Sequence, residues 1–237
     1  MRSALVRSVA RLALGIAVSG ATMLALYRFT AVPGTVLMGM RALDGTQVSY
    51  QWTPLDMISP HLVRAVIAAE DMKFCRHIGF DFGEIKAAYN DYRNGAPLRG
   101  ASTISQQTAK NAFLWPGRGP FRKVAEAGVT LPMEAAYPKR RIMEIYLNVA
   151  EWGDGMFGAE AAARGRFGKS ASELTRREAA LLAAVLPSPN RWRVDPPGPY
   201  VRRRAAALEA RMRTVDEKGL AGCVLEHRDR FPAGSLG

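Results

Sequence analysis

The stretch that decides how this chain is read runs from Glu70 to Asp81: E-D-M-K-F-C-R-H-I-G-F-D. Just upstream, Ser59-Pro60 reads as a helix cap followed by a first-turn proline. Leu62, Val63, Val66 and Ile67 then recur at helical spacing up to Glu70. A helix is therefore expected to stop at a carboxylate pair, Glu70 and Asp71, with Lys73, Arg76 and His77 in the short turn that follows. A carboxylate among cations, held at the end of a rigid element, is suited to general-base work. Asp81 with Glu84 has capping-box spacing and opens a second helix to about Asp91.

Beyond this stretch the pattern stays helical. Ser102 is expected to open a third helix reaching about Phe113. Phe121 to Ala136 reads as a fourth, interrupted by Gly128 and Pro132, which predicts a kink or break near Pro132. Pro138 starts another helix, with Ile142, Ile145, Tyr146 and Val149 on one face. Thr175 with Glu178 is a second capping box, ahead of the core-like A-A-L-L-A-A-V-L that ends at Pro187. Pro199 to about Val215 forms a last, arginine-rich helix. The expected fold class is mainly α, one helical domain over residues 57–237.

The N-terminus supplies an address. Sixteen uncharged residues separate Arg11 from Arg28. A spanning helix usually needs about 20. Arg28 can snorkel, Val6, Val9 and Ala10 can extend the start, and apolar character resumes at Val36, Leu37 and Met38. The expectation is a basic cytoplasmic segment over residues 1–11, a single transmembrane anchor over 12–33, a connector over 34–56 and an exported, periplasmic remainder. A cleaved signal peptide is the rival reading. The connector carries Pro33-Gly34 at its start, an Asp44-Gly45 turn and a strand-like piece from Gln47 to Trp52.

Of 237 residues, 33 are Lys or Arg and 21 Asp or Glu, a net charge of +12. Anionic partners follow: lipid headgroups, phosphate esters or nucleic acid. A hydrophobic fraction of 48% excludes a disordered polycation. The export signal and the lack of an aromatic-basic groove count against nucleic acid. Cys75 and Cys223 match no metal-ligand spacing; they could form at most one disulfide, and free thiols are the default expectation.

Four further segments bear on chemistry. Gly100-Ala-Ser-Thr-Ile-Ser-Gln-Gln107, followed by Lys110, combines small residues at a helix start with amides suited to sugar hydroxyls; its bland reading is a polar helix start. Arg118 and Arg122-Lys-Val-Ala-Glu126 place a second carboxylate among cations; an ordinary surface ion pair is the alternative. The charges of Lys139 to Asn148 are expected to form mostly a solvated helix face, with Ile142, Ile145 and Tyr146 in the core and Asn148 as a cap or loop organiser. Glu151 to Gly158 reads as a packed, tight aromatic loop, with sugar stacking on Trp152 as the sharper alternative. Two separated carboxylates beside phosphate-binding cations point to glycosyl transfer from a phosphate leaving group. A hydrolase of glycosides needs the carboxylates but not the cations.

Taken in order, these segments resemble the monofunctional biosynthetic peptidoglycan glycosyltransferases, a family that also supplies the glycosyltransferase module of class A penicillin-binding proteins. The matching segments are E-D-M-K-F-C-R-H-I-G-F-D, G-A-S-T-I-S-Q-Q, R-K-V-A-E, K-R-R-I-M-E-I-Y-L-N and R-E-A-A-L-L-A-A-V-L-P-S-P, spread from about Ile67 to Trp192. The resemblance implies a lysozyme-like bilobal helical domain that polymerises lipid II outside the inner membrane. It implies Glu70 as the general base on the acceptor 4-hydroxyl and Glu126 as the second catalytic carboxylate. Lys110, Arg118, Arg122 and Lys123 match the cations that contact the donor's phosphates, and Ser102, Thr103, Gln106 and Gln107 the polar wall of the cleft. Asp71, Phe74, His77 and Asn148 would shape the site. The resemblance allows a divalent cation, Mg or Mn, at Glu126 and implies no other cofactor. Expected partners are lipid II, the growing lipid-linked glycan, the inner membrane and other cell-wall synthesis or division proteins. The length after Trp192 leaves no room for a transpeptidase domain. The chain departs from some relatives at Ala125, where they carry a further lysine, and at Pro132. A muramidase-like hydrolase and a membrane-tethered basic binding module are the competing classes.

Overall fold

The computed structural model describes residues 2–97, 100–117 and 119–230. The chain is mainly helical. Helix α1 (Arg2–Tyr27) leads into α2 (Val36–Leu43) and a short strand β1 (Ser49–Tyr50). Helices α3 (Pro60–Glu70), α4 (Phe82–Arg93), α5 (Ile104–Phe113), α6 (Pro120–Ala136) and α7 (Lys139–Val149) follow. A hairpin of β2 (Glu151–Gly153) and β3 (Met156–Phe157) precedes α8 (Ala159–Phe167), α9 (Arg176–Val185), α10 (Pro199–Glu217) and α11 (Gly222–Arg230).

The core has two joined parts. In one, α3, α9 and α10 pack on one another; in the other, α5 lies between α6 and α7. Val66 and Ile67 of α3, Leu182 of α9 and Met212 of α10 are fully buried. Each such side chain stabilises the fold by roughly 1.5–3 kcal/mol. Truncating Ile67 to alanine, one turn before Glu70, would cost about 2–5 kcal/mol and loosen the element that aims that carboxylate.

Local signals explain most boundaries. Ser59 caps α3 by accepting the His61 N–H, with Pro60 at the first helical position. Thr175 and Glu178 form the expected reciprocal capping box of α9. The third helix starts one residue later than expected. Thr103 rather than Ser102 is its cap, and Gln106 completes a reciprocal box. The break expected at Pro132 does not occur: α6 runs continuously through it. Proline there removes the bond to the Gly128 carbonyl and crowds that carbonyl, but buried Thr130 and Met133 hold the segment against its neighbours.

The N-terminal region differs from the anchor-plus-connector expectation. The first helix starts at Arg2 and ends at Tyr27, well short of residue 33. Among the described residues, no helix is long and apolar enough to cross a membrane. Residues 34–56 are structured. Thr35 caps α2 through the Met38 N–H at 3.2 Å, so the apolar Val36-Leu37-Met38 begins a separate helix. Strand β1 then pairs parallel with β3, Ser49 opposite Met156, giving the order β1-β3-β2. Gly155 turns the hairpin with φ +69; a Cβ there would meet the Gln47 carbonyl oxygen at 2.3 Å. Trp152 and Phe157 are fully buried, so this loop is packed and Trp152 offers no face to a sugar.

The free-thiol expectation is corrected. Cys75 and Cys223 form a disulfide across 148 residues, with Cα atoms 5.6 Å apart. Val224 and Leu225 anchor α11 in the core, and this packing brings Cys223 beside the loop after α3.

Candidate active site

Glu70 is the last residue of α3, and the backbone leaves helical geometry at Asp71, where φ is −163° and ψ is 80°. The loop that follows is fastened to the start of α5. Asp71 Oδ2 accepts the Ile104 N–H at 3.0 Å and pairs with His77 Nε2 at 2.9 Å. The Thr103 hydroxyl donates to the Gly79 carbonyl at 2.6 Å. Gly79 has φ +80, and a Cβ would come 2.9 Å from Thr130 of α6. Phe74 is fully buried, with the Lys139 ammonium 4.6 Å from its ring centroid. Phe74 and His77 thus shape the loop rather than face the cleft, and Asp71 ties the loop to α5 from the cleft wall.

Consecutive glutamines on α5 reach the two candidate carboxylates. Gln107 Nε2 donates to Glu70 Oε2 at 2.8 Å. Gln106 Nε2 lies 3.4 Å from Glu126 Oε1 while its own oxygen accepts the Thr103 N–H at 3.1 Å. Buried Tyr146 stands behind Gln107, its hydroxyl 3.5 Å from the amide oxygen. Burial raises the Tyr146 pKa well above its ordinary value, with the charges of Glu70 and Asp71 adding to the effect. That hydroxyl keeps its proton and its polarity toward Gln107.

Glu126 is buried on α6 and bound by cations from its own helix. Arg122 donates to Oε2 at 2.8 Å, and the Lys123 ammonium contacts Oε1. Lys123 also reaches the Ser102 hydroxyl at 3.1 Å. Lys110 of α5 interacts electrostatically with both Glu126 and Glu70; desolvation, then the charges of Arg122 and Lys123, lower its pKa. Three cations surround one carboxylate, so the cluster carries excess positive charge. Arg122 Nε is buried without a hydrogen-bond partner among the described residues. An anion with several oxygens would meet both conditions. Arg118 lies outside the described residues.

Glu70 has a different environment. Burial raises its pKa from the ordinary 4.5, and the nearby Asp71 charge acts in the same direction. The Gln107 hydrogen bond and the charges of Arg204 and Lys110 oppose this in part. A cleft of about 430 Å³ opens beside it, lined by Asp71, Lys73, Ser102, Thr103 and Arg211 among others. Lys73 pairs with Asp81 at 3.0 Å, so Lys73 is held at the cleft edge.

Sequence reading placed most of these residues together but missed Arg204 and Arg211. Both lie on α10, whose five arginines look alike in sequence; only the packing of α10 on α3 selects these two. Asn148 lies apart from the cleft. Its buried carboxamide accepts the Thr53 N–H at 2.7 Å and donates to the Thr53 carbonyl at 2.9 Å. It organises that loop, while Ala150 ends α7.

A divalent cation does not fit these residues. Both Glu126 oxygens are already engaged by cationic donors, and among the described residues no cluster of three His, Cys, Asp or Glu side chains can hold a metal. Binding a dication here would mean adding its charge to three local cations.

A carboxylate of raised pKa beside a cluster with excess positive charge is an arrangement suited to a group-transfer enzyme. The Transglycosylase family profile matches residues 38–215. The chain is 53% identical to the biosynthetic peptidoglycan transglycosylase of Rhodospirillum centenum over 94% of this chain and 96% of that one. It is 51% identical to the enzyme of that name from Caulobacter vibrioides, over 84% and 87% of the two chains. With the one from Ectopseudomonas mendocina it shares 47% identity over 90% of each. The chain belongs to the transglycosylase family.

Proposed function

We propose that this chain polymerises lipid II into peptidoglycan glycan strands by inverting glycosyl transfer. In this reading Glu70 accepts the proton of the acceptor sugar's 4-hydroxyl. The oxygen then attacks C1 of the growing chain as the C1–O bond to undecaprenyl pyrophosphate breaks. A hydroxyl is a weak nucleophile, and a base whose pKa is raised is better matched to it. Lys110, Arg122 and Lys123 would neutralise the negative charge that develops on the leaving pyrophosphate. Glu126 would set their spacing and limit their mutual repulsion. Gln106 and Gln107 would orient the two carboxylates, and partly exposed Gln107 would present its second amide hydrogen to a sugar hydroxyl. Ser102 and Thr103 would form the adjoining polar wall. Arg118 would extend the phosphate site. No step is assigned to a metal.

We further propose that α1 seats the chain in the inner membrane with its N-terminus in the cytoplasm, snorkelling of Arg11 making up for an uncharged run shorter than a usual span. Arg2, Arg7 and Arg11 precede its uncharged run, which suits retention of that end on the cytoplasmic side. The Cys75–Cys223 disulfide agrees with an exported catalytic domain, since disulfides persist in oxidising compartments.

The observation that carries the enzymatic reading is the pairing of a raised-pKa carboxylate with a cation cluster in excess of its own carboxylate. A hydrolase of finished glycan has no use for the second feature. The test is polymerisation of purified lipid II by the detergent-solubilised chain, beside digestion of purified sacculi. Polymer from the first and nothing from the second is expected; the reverse would replace the proposal with the hydrolase.

A further inference from the structure

The end of α1 is built into the catalytic domain rather than trailing from it. Arg141, near the start of α7, donates to the Tyr27 carbonyl from Nε at 2.9 Å and from Nη2 at 2.8 Å. Nη2 also contacts the Thr30 carbonyl. These carbonyls belong to the C-terminal turn of α1 and the residues after it, where helical bonding leaves acceptors free and a cation is favoured. The Arg141 guanidinium lies 5.0 Å from the Trp52 ring centroid, and its Nη1 pairs with Glu144. Its side chain is only 12% exposed. The orientation of this planar donor is thus fixed on several sides.

Other contacts secure the same joint. The Tyr137 hydroxyl donates to the Leu24 carbonyl at 2.6 Å, and Arg28 donates to the Ala136 carbonyl. The Tyr27 ring packs on Phe113 at 5.6 Å. Phe113 ends α5, three residues after Lys110; Ala136 ends α6, the helix of Arg122, Lys123 and Glu126. The joint therefore grips the C-terminal ends of the two helices that carry the cation cluster.

We propose that Arg141 is a positioning residue that locks the end of α1 to α7, the helix packed on α5, so that the cation cluster stands at a set depth relative to the surface in which α1 is seated. The idea rests on the lipid-linked substrate proposed above. A substrate whose pyrophosphate is fixed at the headgroup level reaches the cluster only if the cluster sits at that level. A flexible tether would present it at many depths and lower the fraction of productive encounters. In a detergent micelle, substrate and α1 are not held in one plane, and the lock has no consequence.

The experiment compares the full-length chain with Arg141→Ala and Tyr137→Phe, each reconstituted in phospholipid vesicles and, separately, solubilised in detergent, with undecaprenyl lipid II as substrate. Circular dichroism and the melting temperature establish that each variant is folded. Spin labels on Gly20→Cys and Glu217→Cys report the distance distribution between α1 and the catalytic domain. The expected result for Arg141→Ala is a loss of about 10-fold in vesicles, a near-unchanged rate in detergent and a broadened distance distribution. Tyr137→Phe, which loses one bond of several, should shift the same readouts in the same direction by less. Unchanged activity in vesicles, an equal loss in both media, or an unbroadened distribution in the folded variant would overturn the proposal. Should the wild-type chain make no polymer in either medium, the functional reading fails, and the distance distribution still decides whether Arg141 makes the joint rigid.

Discussion

Glu70 and Glu126 are reached by neighbouring glutamines on the same helix, yet their surroundings differ in kind. Glu70 meets one neutral donor, Gln107, and its pKa is raised because burial outweighs the cations nearby. Glu126 is held by Arg122 and Lys123 and shares the field of Lys110. The first arrangement makes a carboxylate willing to take a proton. The second spends a carboxylate on organising positive charge. One helix start, capped by Thr103 and Gln106, sets both environments, so the difference comes from what α3 and α6 bring to it.

The largest effect expected from breaking the comparison is at Glu70. Replacing it by glutamine keeps the shape and a hydrogen bond to Gln107 but removes the proton acceptor. The polymerisation rate should fall about 10²–10⁴-fold, while a donor-site inhibitor still binds, as measured by its displacement from the purified variant. On the other side, Arg122→Ala should lower kcat about 10²-fold by removing a charge from the leaving-group site. It should also depress the melting temperature, because buried Glu126 loses its better-enclosed partner. Lys123→Ala, with a half-exposed side chain, should cost activity with a smaller loss of stability.

The disulfide lies on the Glu70 side, since Cys75 is in the loop after α3. Reduction should destabilise the chain by about 2–5 kcal/mol, read as a lower melting temperature with dithiothreitol than without. The Cys75→Ala, Cys223→Ala double variant should melt low in both conditions. A melting temperature insensitive to reductant would show that the bond contributes nothing.

The smallest effect concerns stability and pH. A carboxyl whose folded pKa is raised favours the folded state while protonated, and that contribution is lost as pH rises through the raised value. Glu70→Gln should therefore be slightly more stable than wild type at neutral pH. The advantage should fade as pH falls toward 4.5, the ordinary value of the side chain. Denaturant melts of both proteins across this range check the sign.

Much of this was legible in the sequence where the signal is local. The start of α3 is marked by Ser59-Pro60 and its end by an apolar stripe that stops at Glu70, and the four-residue spacing of Arg122 and Glu126 states their pairing outright. Features made by distant contact were not legible. Cys75 and Cys223 are 148 residues apart and meet only because α11 docks. Arg204 and Arg211 are two among five arginines on α10. Pro132 shows the opposite failure: its local signal for a break is real, but tertiary packing overrides it. Likewise, residues after Thr35 read as a connector because α2 is short and its apolar start resembles the preceding run.

The central claim is that Glu70 is the base and that burial tunes it. The most direct measurement is kcat/KM for lipid II polymerisation by the purified chain as a function of pH, over the range in which the fold is intact. The account predicts a rate that climbs with pH through one ionisation lying above 4.5, and no such step in the residual rate of Glu70→Gln. A rate already maximal at pH 4.5, or the same step surviving in Glu70→Gln, would contradict it.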